Sequence, residues 1–176
     1  MFFELIGTLI AGAAAGMLYW AVNRALKGRL PRWGLPAAAG AAMLAATISS
    51  EYGWYGRTSA ALPPGVEVAL AVEDSAPWRP WTYLAPYVTR FVAFDAASMR
   101  THPGQPGQRM VTLLFYGRWS PLGAMPALFD CAGGRRADLI DGAAFAEDGT
   151  VVNADWVPLR DGDPVLSAVC AAPVPA

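Results

Sequence analysis

The sequence predicts a membrane α-helical hairpin of two transmembrane helices, followed by a small mostly-β extracytoplasmic domain, a sandwich or partly open barrel. Three observations predict it. Phe2–Val22 is an apolar run broken only by Glu4. Arg24, Lys27, Arg29 and Arg32 crowd into a short link with no acid among them. From Val66 onward the hydrophobic period changes to two, and β-rich runs alternate with Gly/Pro turns.

The first run is long enough to cross a bilayer, since about 20 apolar residues at about 1.5 Å each span its hydrocarbon core. Tyr19 and Trp20 near its end suit the headgroup level. A cleaved signal peptide is the competing reading, but it calls for a positive start, and the chain begins Met-Phe-Phe-Glu. Gly12 and Gly16 form a GxxxG element that permits close helix approach. An Ala-rich composition also yields such spacings by chance.

The link cannot lie in hydrocarbon, because four cations there are prohibitive. Gly28 and Pro31 break the helix. The positive-inside rule makes this link cytoplasmic and places the N-terminus and the C-terminal domain in the periplasm of a Gram-negative-type cell, with the inner membrane between. The second run, Trp33 to about Ser50, is mostly Ala and only weakly hydrophobic. Ala37, Ala41 and Ala45 recur every four residues, with Ala38, Ala42 and Ala46 beside them, and predict a small-residue face toward the first helix. Trp33 before it and Tyr52, Trp54 and Tyr55 after it mark the interfaces. So soft a span inserts best beside a partner. The lipid bilayer, another integral membrane protein, or a second copy through the small-residue faces is the expected company.

The predicted division is residues 1–55 hairpin, 56–65 linker and 66–176 β-rich domain. Val66, Val68, Leu70 and Val72 alternate as in a half-buried strand. Tyr87–Asp95 and Arg109–Trp119 are further β runs, separated by a polar loop with His102, Pro103, Gly104, Pro106 and Gly107. Ala127–Cys131 and Arg136–Ile140 flank a Gly133-Gly134 turn. Asp148-Gly149 marks a hairpin between Ala144-Phe145 and Val151-Val152. Asp163 and Pro164 open a short helix as N-cap and first residue.

Thirteen basic residues stand against 14 acidic ones. Four of the basic ones lie in the link, so the rest of the chain is acidic, which argues against a nucleic-acid partner. Cys131 and Cys170 are the two cysteines, and an even count in an exported part predicts a structural disulfide. A redox role would call for a CxxC, which the sequence lacks.

Chemistry-bearing patterns are sparse. His102 is the one histidine, there is no GxSxG elbow, and the cysteines are committed, so no catalytic residue, metal ligand or cofactor is assigned. Asp130, Asp138, Asp141, Glu147, Asp148, Asp155, Asp161 and Asp163 lack calcium-loop register and read as turn residues. Gly133-Gly134-Arg135-Arg136 is read as a tight hairpin with Asp138 as ion-pair partner. An anion site is its sharper alternative. Trp78, Arg79, Trp81 and Tyr83 have the composition of interface anchors, with headgroup contact and burial as core aromatics the alternatives. The functional expectation is a non-enzymatic accessory or assembly subunit of a larger inner-membrane complex. The alternative is a membrane-tethered periplasmic module binding a ligand or peptide in an apolar pocket near Trp78 and Trp81. An enzyme would need His102 beside two or more carboxylates in a cleft.

Overall fold

The structure, a computed structural model, describes residues 2–139, 144–146 and 148–175. They fall into two compact units, Met1–Arg57 and Thr58–Ala176.

The first unit is an antiparallel helical hairpin. Helix α1 spans Phe2–Ala25 and helix α2 spans Gly34–Ala60. Helix α1 ends in a Schellman-type cap. The Gly28 N–H reaches the Asn23 carbonyl at 2.8 Å and the Lys27 N–H reaches that of Arg24 at 3.1 Å. Lys27 and Gly28 both take positive φ, 56° and 77°, so the left-handed position usually filled by glycine is held by a lysine. The link is then pinned at its far side: the Leu30 N–H donates to Asn23 Oδ1 at 2.9 Å and Tyr19 donates its hydroxyl proton to the Pro31 carbonyl at 2.6 Å. At the other end of the pair, Ser50 donates to Glu4 Oε1 at 2.9 Å.

Gly12 and Gly16 are the buried positions of α1. A side chain at Gly12 would meet Met43, and one at Gly16 would meet Leu35 and Ala39. Of the alanines expected on the contact face of α2, Ala38, Ala42 and Ala46 are half-buried while Ala37, Ala41 and Ala45 are exposed, and the residues that meet the two glycines are Leu35, Ala39 and Met43. A glycine hollow gains more dispersion contact from a long side chain than from a second small one. Helix α2 also runs through Ala60, so Gly56 and its neighbours are helical where a linker was expected. Trp54 is buried (7% exposed) and so is Glu51, so Trp54 is not a free interfacial aromatic. Helix α1 is long and apolar enough to cross a membrane, and among the described residues it alone meets that test.

The second unit is a mostly-β antiparallel sheet. Its strands are β1 (Val66–Asp74), β2 (Tyr87–Asp95), β3 (Arg100–His102), β4 (Gln105–Gly117), β5 (Gly123–Asp130), β6 (Arg135–Asp138) and β9 (Trp156–Pro158), in the order β1-β2-β4-β5-β6-β9 with β3 also on β4. β7 (Ala144–Phe145) and β8 (Val151–Val152) form a separate two-stranded hairpin. Among the described residues, seven strands share a single sheet, with no second large sheet packed on it as in a sandwich. The reason lies in β4, whose 13 residues pair β3 at one end and β2 at the other. The polar loop expected around His102 is in fact the β3–β4 hairpin, so Gln105, Pro106 and Gly107 are strand residues. In β1 the pairing register shifts between Val68 and Leu70, which brings Ala69 against the core and breaks the simple alternation. Gly65, which precedes β1, has φ of +90°, and a Cβ there would come within 2.9 Å of the Ala97 Cβ, so glycine is required. Ile140 and Asp141, as well as Glu147, lie outside the described residues.

Helix α3 (Pro164–Ala171) lies across β1, β4 and β5. Val169 and Ala172 close a core built from Phe94, Met99, Val111, Leu113, Ala127 and Phe129. Asp163 caps its start, accepting from the N–H groups of Val165 and Leu166 at 3.0 and 2.9 Å. Arg109 of β4 holds its end, donating to the carbonyls of Val169 and Ala172 at 2.7 and 2.6 Å. The Cys131–Cys170 disulfide joins the end of β5 to the same helix, with Cα atoms 5.8 Å apart.

The turn after β5 is organised by Asp130, which accepts from Arg135 Nε at 2.8 Å and the Gly133 N–H at 2.9 Å. Arg135 in turn stacks 4.6 Å from the Trp156 ring, and Arg136 pairs with Asp138 at 2.8 Å. Burial pushes the Asp130 carboxyl up, but the Gly133 N–H, the Arg135 guanidinium and the Ala132 N–H outweigh it and hold the pKa below its ordinary value.

Cys170→Ser is expected to lower unfolding stability by about 3–4 kcal/mol, because the bond closes a segment of 39 residues. Chemical denaturation of the full-length protein in detergent reads this as an earlier midpoint. The lowered pKa of Asp130 gives a second expectation. Its stabilising contribution is complete above the ordinary carboxylate value of 3.8 and is lost as pH falls through the lowered folded value. The stability gap between the wild type and Asp130→Asn should therefore be constant at neutral pH and close under strong acid. A gap unchanged by acid would refute it.

Candidate functional site

One end of the sheet carries two loops rich in exposed aromatic residues. The β1–β2 connection, residues 75–86, contains Pro77, Pro80 and Pro86, which restrict its backbone. Thr82 is fully buried at its centre. Its Oγ1 accepts from the Ala76 N–H at 3.0 Å and donates to the Arg79 carbonyl at 2.7 Å. The Arg79 N–H closes on the Ala76 carbonyl at 2.9 Å, and Pro80–Tyr83 forms a 3-10 turn. With its polar interior satisfied in this way, the loop turns its large side chains outward. Leu84 is 90% exposed, Trp78 76% and Tyr83 61%, with Trp81 less so. The Arg79 guanidinium sits 5.6 Å over the Tyr87 ring and donates to the Tyr87 hydroxyl at 3.4 Å.

The β4–β5 turn, residues 118–122, stands at the same end. β2 begins and β4 finishes there, with Arg90 opposite Gly117. The Arg118 N–H donates to the Thr89 carbonyl at 3.2 Å. The Arg118 guanidinium packs 4.8 Å from the Trp119 ring. Trp119 and Leu122 are more than half exposed. Arg118, Trp119 and Ser120 form one wall of an open groove whose other residues include Val72, Asp74 and Thr89.

The structure thus places Trp78, Trp81 and Tyr83 at the surface rather than in the core, with Arg79 half-buried beneath them. It adds Leu84, Trp119 and Leu122, which sequence reading assigned to a strand end or passed over. The available signal was Trp119-Ser120-Pro121-Leu122, a turn sequence flanked by large apolar residues.

At the opposite end of β4, an apolar cavity of about 220 Å³ is lined by residues that include Met110, Leu128, Phe145, Gln108 and His102. The pocket therefore lies away from Trp78 and Trp81. His102 Nδ1 accepts from the Gly104 N–H at 3.1 Å. Asp148 is nearby, its carboxyl held below the ordinary value by the Thr150 hydroxyl and N–H, with His102 a smaller influence. Among the described residues, no carboxylate lines the cavity. No group of three or more His, Cys, Asp or Glu is placed to hold a metal ion among them.

Thr82→Val keeps the shape of the loop centre but removes both hydrogen bonds and leaves the Ala76 N–H unpaired. A loss of about 1–3 kcal/mol is expected. Hydrogen exchange in residues 75–86 should quicken while the β4–β5 ladder stays protected. Unchanged exchange in the loop would show that Thr82 does not hold it.

Compared with protein families, curated proteins and solved structures, the chain matches none.

Proposed function

We propose that this chain is a non-enzymatic accessory or assembly subunit of a larger inner-membrane complex, with both α1 and α2 spanning the bilayer and the sheet domain on the periplasmic side. The observation that carries this reading is the outer side of α2. Its contact with α1 uses Leu35, Ala39 and Met43, and the small stripe of Ala37, Ala41 and Ala45 is left exposed, with open space beside Gly40. A helix this weakly apolar gains little from lipid alone. A small-residue stripe offers close backbone approach to a further helix, from another protein or a second copy.

Orientation is supported by two features. The four cations of the link favour the cytoplasmic side, and the Cys131–Cys170 bond suits an oxidising compartment. A second reading, a tethered ligand-binding module, has the apolar cavity beside Met110, Leu128 and Phe145 as its support.

Purification in gentle detergent with native mass measurement tests the proposal. The expected result is a stable assembly that falls apart in the Ala41→Leu/Ala45→Leu variant, while Gly12 and Gly16 still seat on Met43, Leu35 and Ala39. A strictly monomeric wild type with no bound protein would overturn it. Reporter fusions at Arg29 and after Pro175 should read as cytoplasmic and periplasmic, respectively.

A further inference from the structure

We propose that the cavity lined by Met110, Leu128 and Phe145 binds a small, mostly apolar molecule carrying one hydroxyl, with a simple substituted phenol as the type. The inference deepens the second reading above, a tethered ligand-binding module, and rests on it.

The cavity belongs to the face of the sheet that α3 does not cover. Along β4, Arg109, Val111 and Leu113 turn toward α3, so Gln108 and Met110 turn to the opposite face. Met110 stands opposite Leu128 of β5 in the ladder, and Phe145 of β7 completes the apolar lining. The β7–β8 turn is seated against the β3–β4 hairpin. A Cβ at Gly149 would collide with the His102 ring, and one at Gly104 would meet the Asp148 carbonyl. Gly149 also has φ of +80°, so glycine serves both the turn and the close approach. The lining is thus in place without a ligand, which lowers the ordering cost of binding one.

Two features set the chemistry of the occupant. The first is size and polarity. The cavity measures about 220 Å³. An apolar cavity of about 150 Å³ holds benzene, so this one holds a ring with roughly one or two further heavy atoms. The Met110 thioether and the Phe145 ring both gain from an aromatic neighbour. The second feature is Gln108. It lines the cavity, and its Oε1 is buried without a hydrogen-bond partner among the described residues. A buried acceptor left unpaired is costly, and a ligand that supplies the partner removes that cost. A hydroxyl suits a carboxamide in either orientation, because it donates to the oxygen and accepts from the nitrogen. Charged ligands fit less well. Among the described residues, no carboxylate lines the cavity to hold an amine. Arg100 beside it is exposed, where pairing with a carboxylate adds little.

The test uses the full-length protein in detergent with isotope-labelled methionine methyl groups. It is titrated with p-cresol and with p-xylene, in which a methyl replaces the hydroxyl, and dialysis fixes the free concentration of each. p-Cresol should move the Met110 methyl resonance saturably, while Met17 and Met43 of the helical hairpin stay put. Gln108→Leu should weaken p-cresol about threefold to tenfold. The same variant should bind p-xylene as tightly as before or more so, which also shows its fold to be intact. If the substitution affects the two probes equally, the hydroxyl contact is refuted and the cavity stands as a ligand site. If neither probe moves Met110, or if Met17 and Met43 move in parallel with it, the site and the ligand-binding reading fall together.

Discussion

The β domain depends on how one short helix is held. An open sheet exposes two faces, and the one built from Phe94, Val111, Leu113, Ala127 and Phe129 needs a cover. Its cover, α3, has only eight residues, too few to be helical on its own. Three devices compensate, each with a separate physical basis. Asp163 satisfies the first N–H groups. Arg109, rooted in the central strand, satisfies the last carbonyls with a full positive charge at the negative end of the helix. The disulfide restricts the unfolded chain and fixes the helix to β5. Together they let eight residues do what a longer amphipathic helix does elsewhere by burial alone.

The helical hairpin solves a different problem with different means. On the proposed reading both helices lie in lipid, where there is no hydrophobic drive for helices to meet, so contact depends on fit. Gly12 and Gly16 open a hollow, and Met43 and Leu35 fill it. Fit of this kind uses one side of α2 and leaves Ala37, Ala41 and Ala45 exposed on the other, beside Leu44. The polar contacts lie toward the ends, with Ser50 to Glu4 at one and Tyr19 to the Pro31 carbonyl at the other. Polar groups placed there fix the register of two helices whose middles are nearly featureless.

The long apolar helix, the β-rich character of the rest, the Asp163 cap and the pairing of the cysteines were legible in the sequence. Each is signalled locally or by a forced choice: a long apolar run, period-two alternation, Asp followed by Pro, or two cysteines that have only each other. What escaped depended on contacts between distant residues. On an Ala-rich helix every side looks small, so nothing local distinguishes Ala37, Ala41 and Ala45 from the stripe that actually packs. The single sheet follows from β4 pairing with two strands on one edge, which a list of strands cannot show. Arg109 reads as an ordinary strand cation until Val169 and Ala172, some sixty residues later, come to lie on it. Of the surface aromatics, Trp78 and Trp81 were noticeable from composition, but whether they faced in or out turned on Thr82. A threonine in a Trp-rich loop gives no hint that it takes the buried position.

That inversion also separates the two ends of the domain. Ordinarily a loop with several large apolar residues collapses around them, and burying each contributes about 1.5–3 kcal/mol. Here the threonine is inside and Trp78, Tyr83 and Leu84 are outside, so the loop forgoes that gain. Hydrogen bonds from Thr82 and the three prolines make the outward arrangement the stable one. Trp119 and Leu122, on an unrelated turn, are turned out at the same end of the sheet. A single misplaced aromatic needs no explanation, since folded surfaces are largely apolar. Two separately built loops that converge on one exposed aromatic edge are a surface shaped for contact. The His102 end offers a concave cavity instead, so the sheet presents a protruding apolar edge at one end of β4 and a recess at the other.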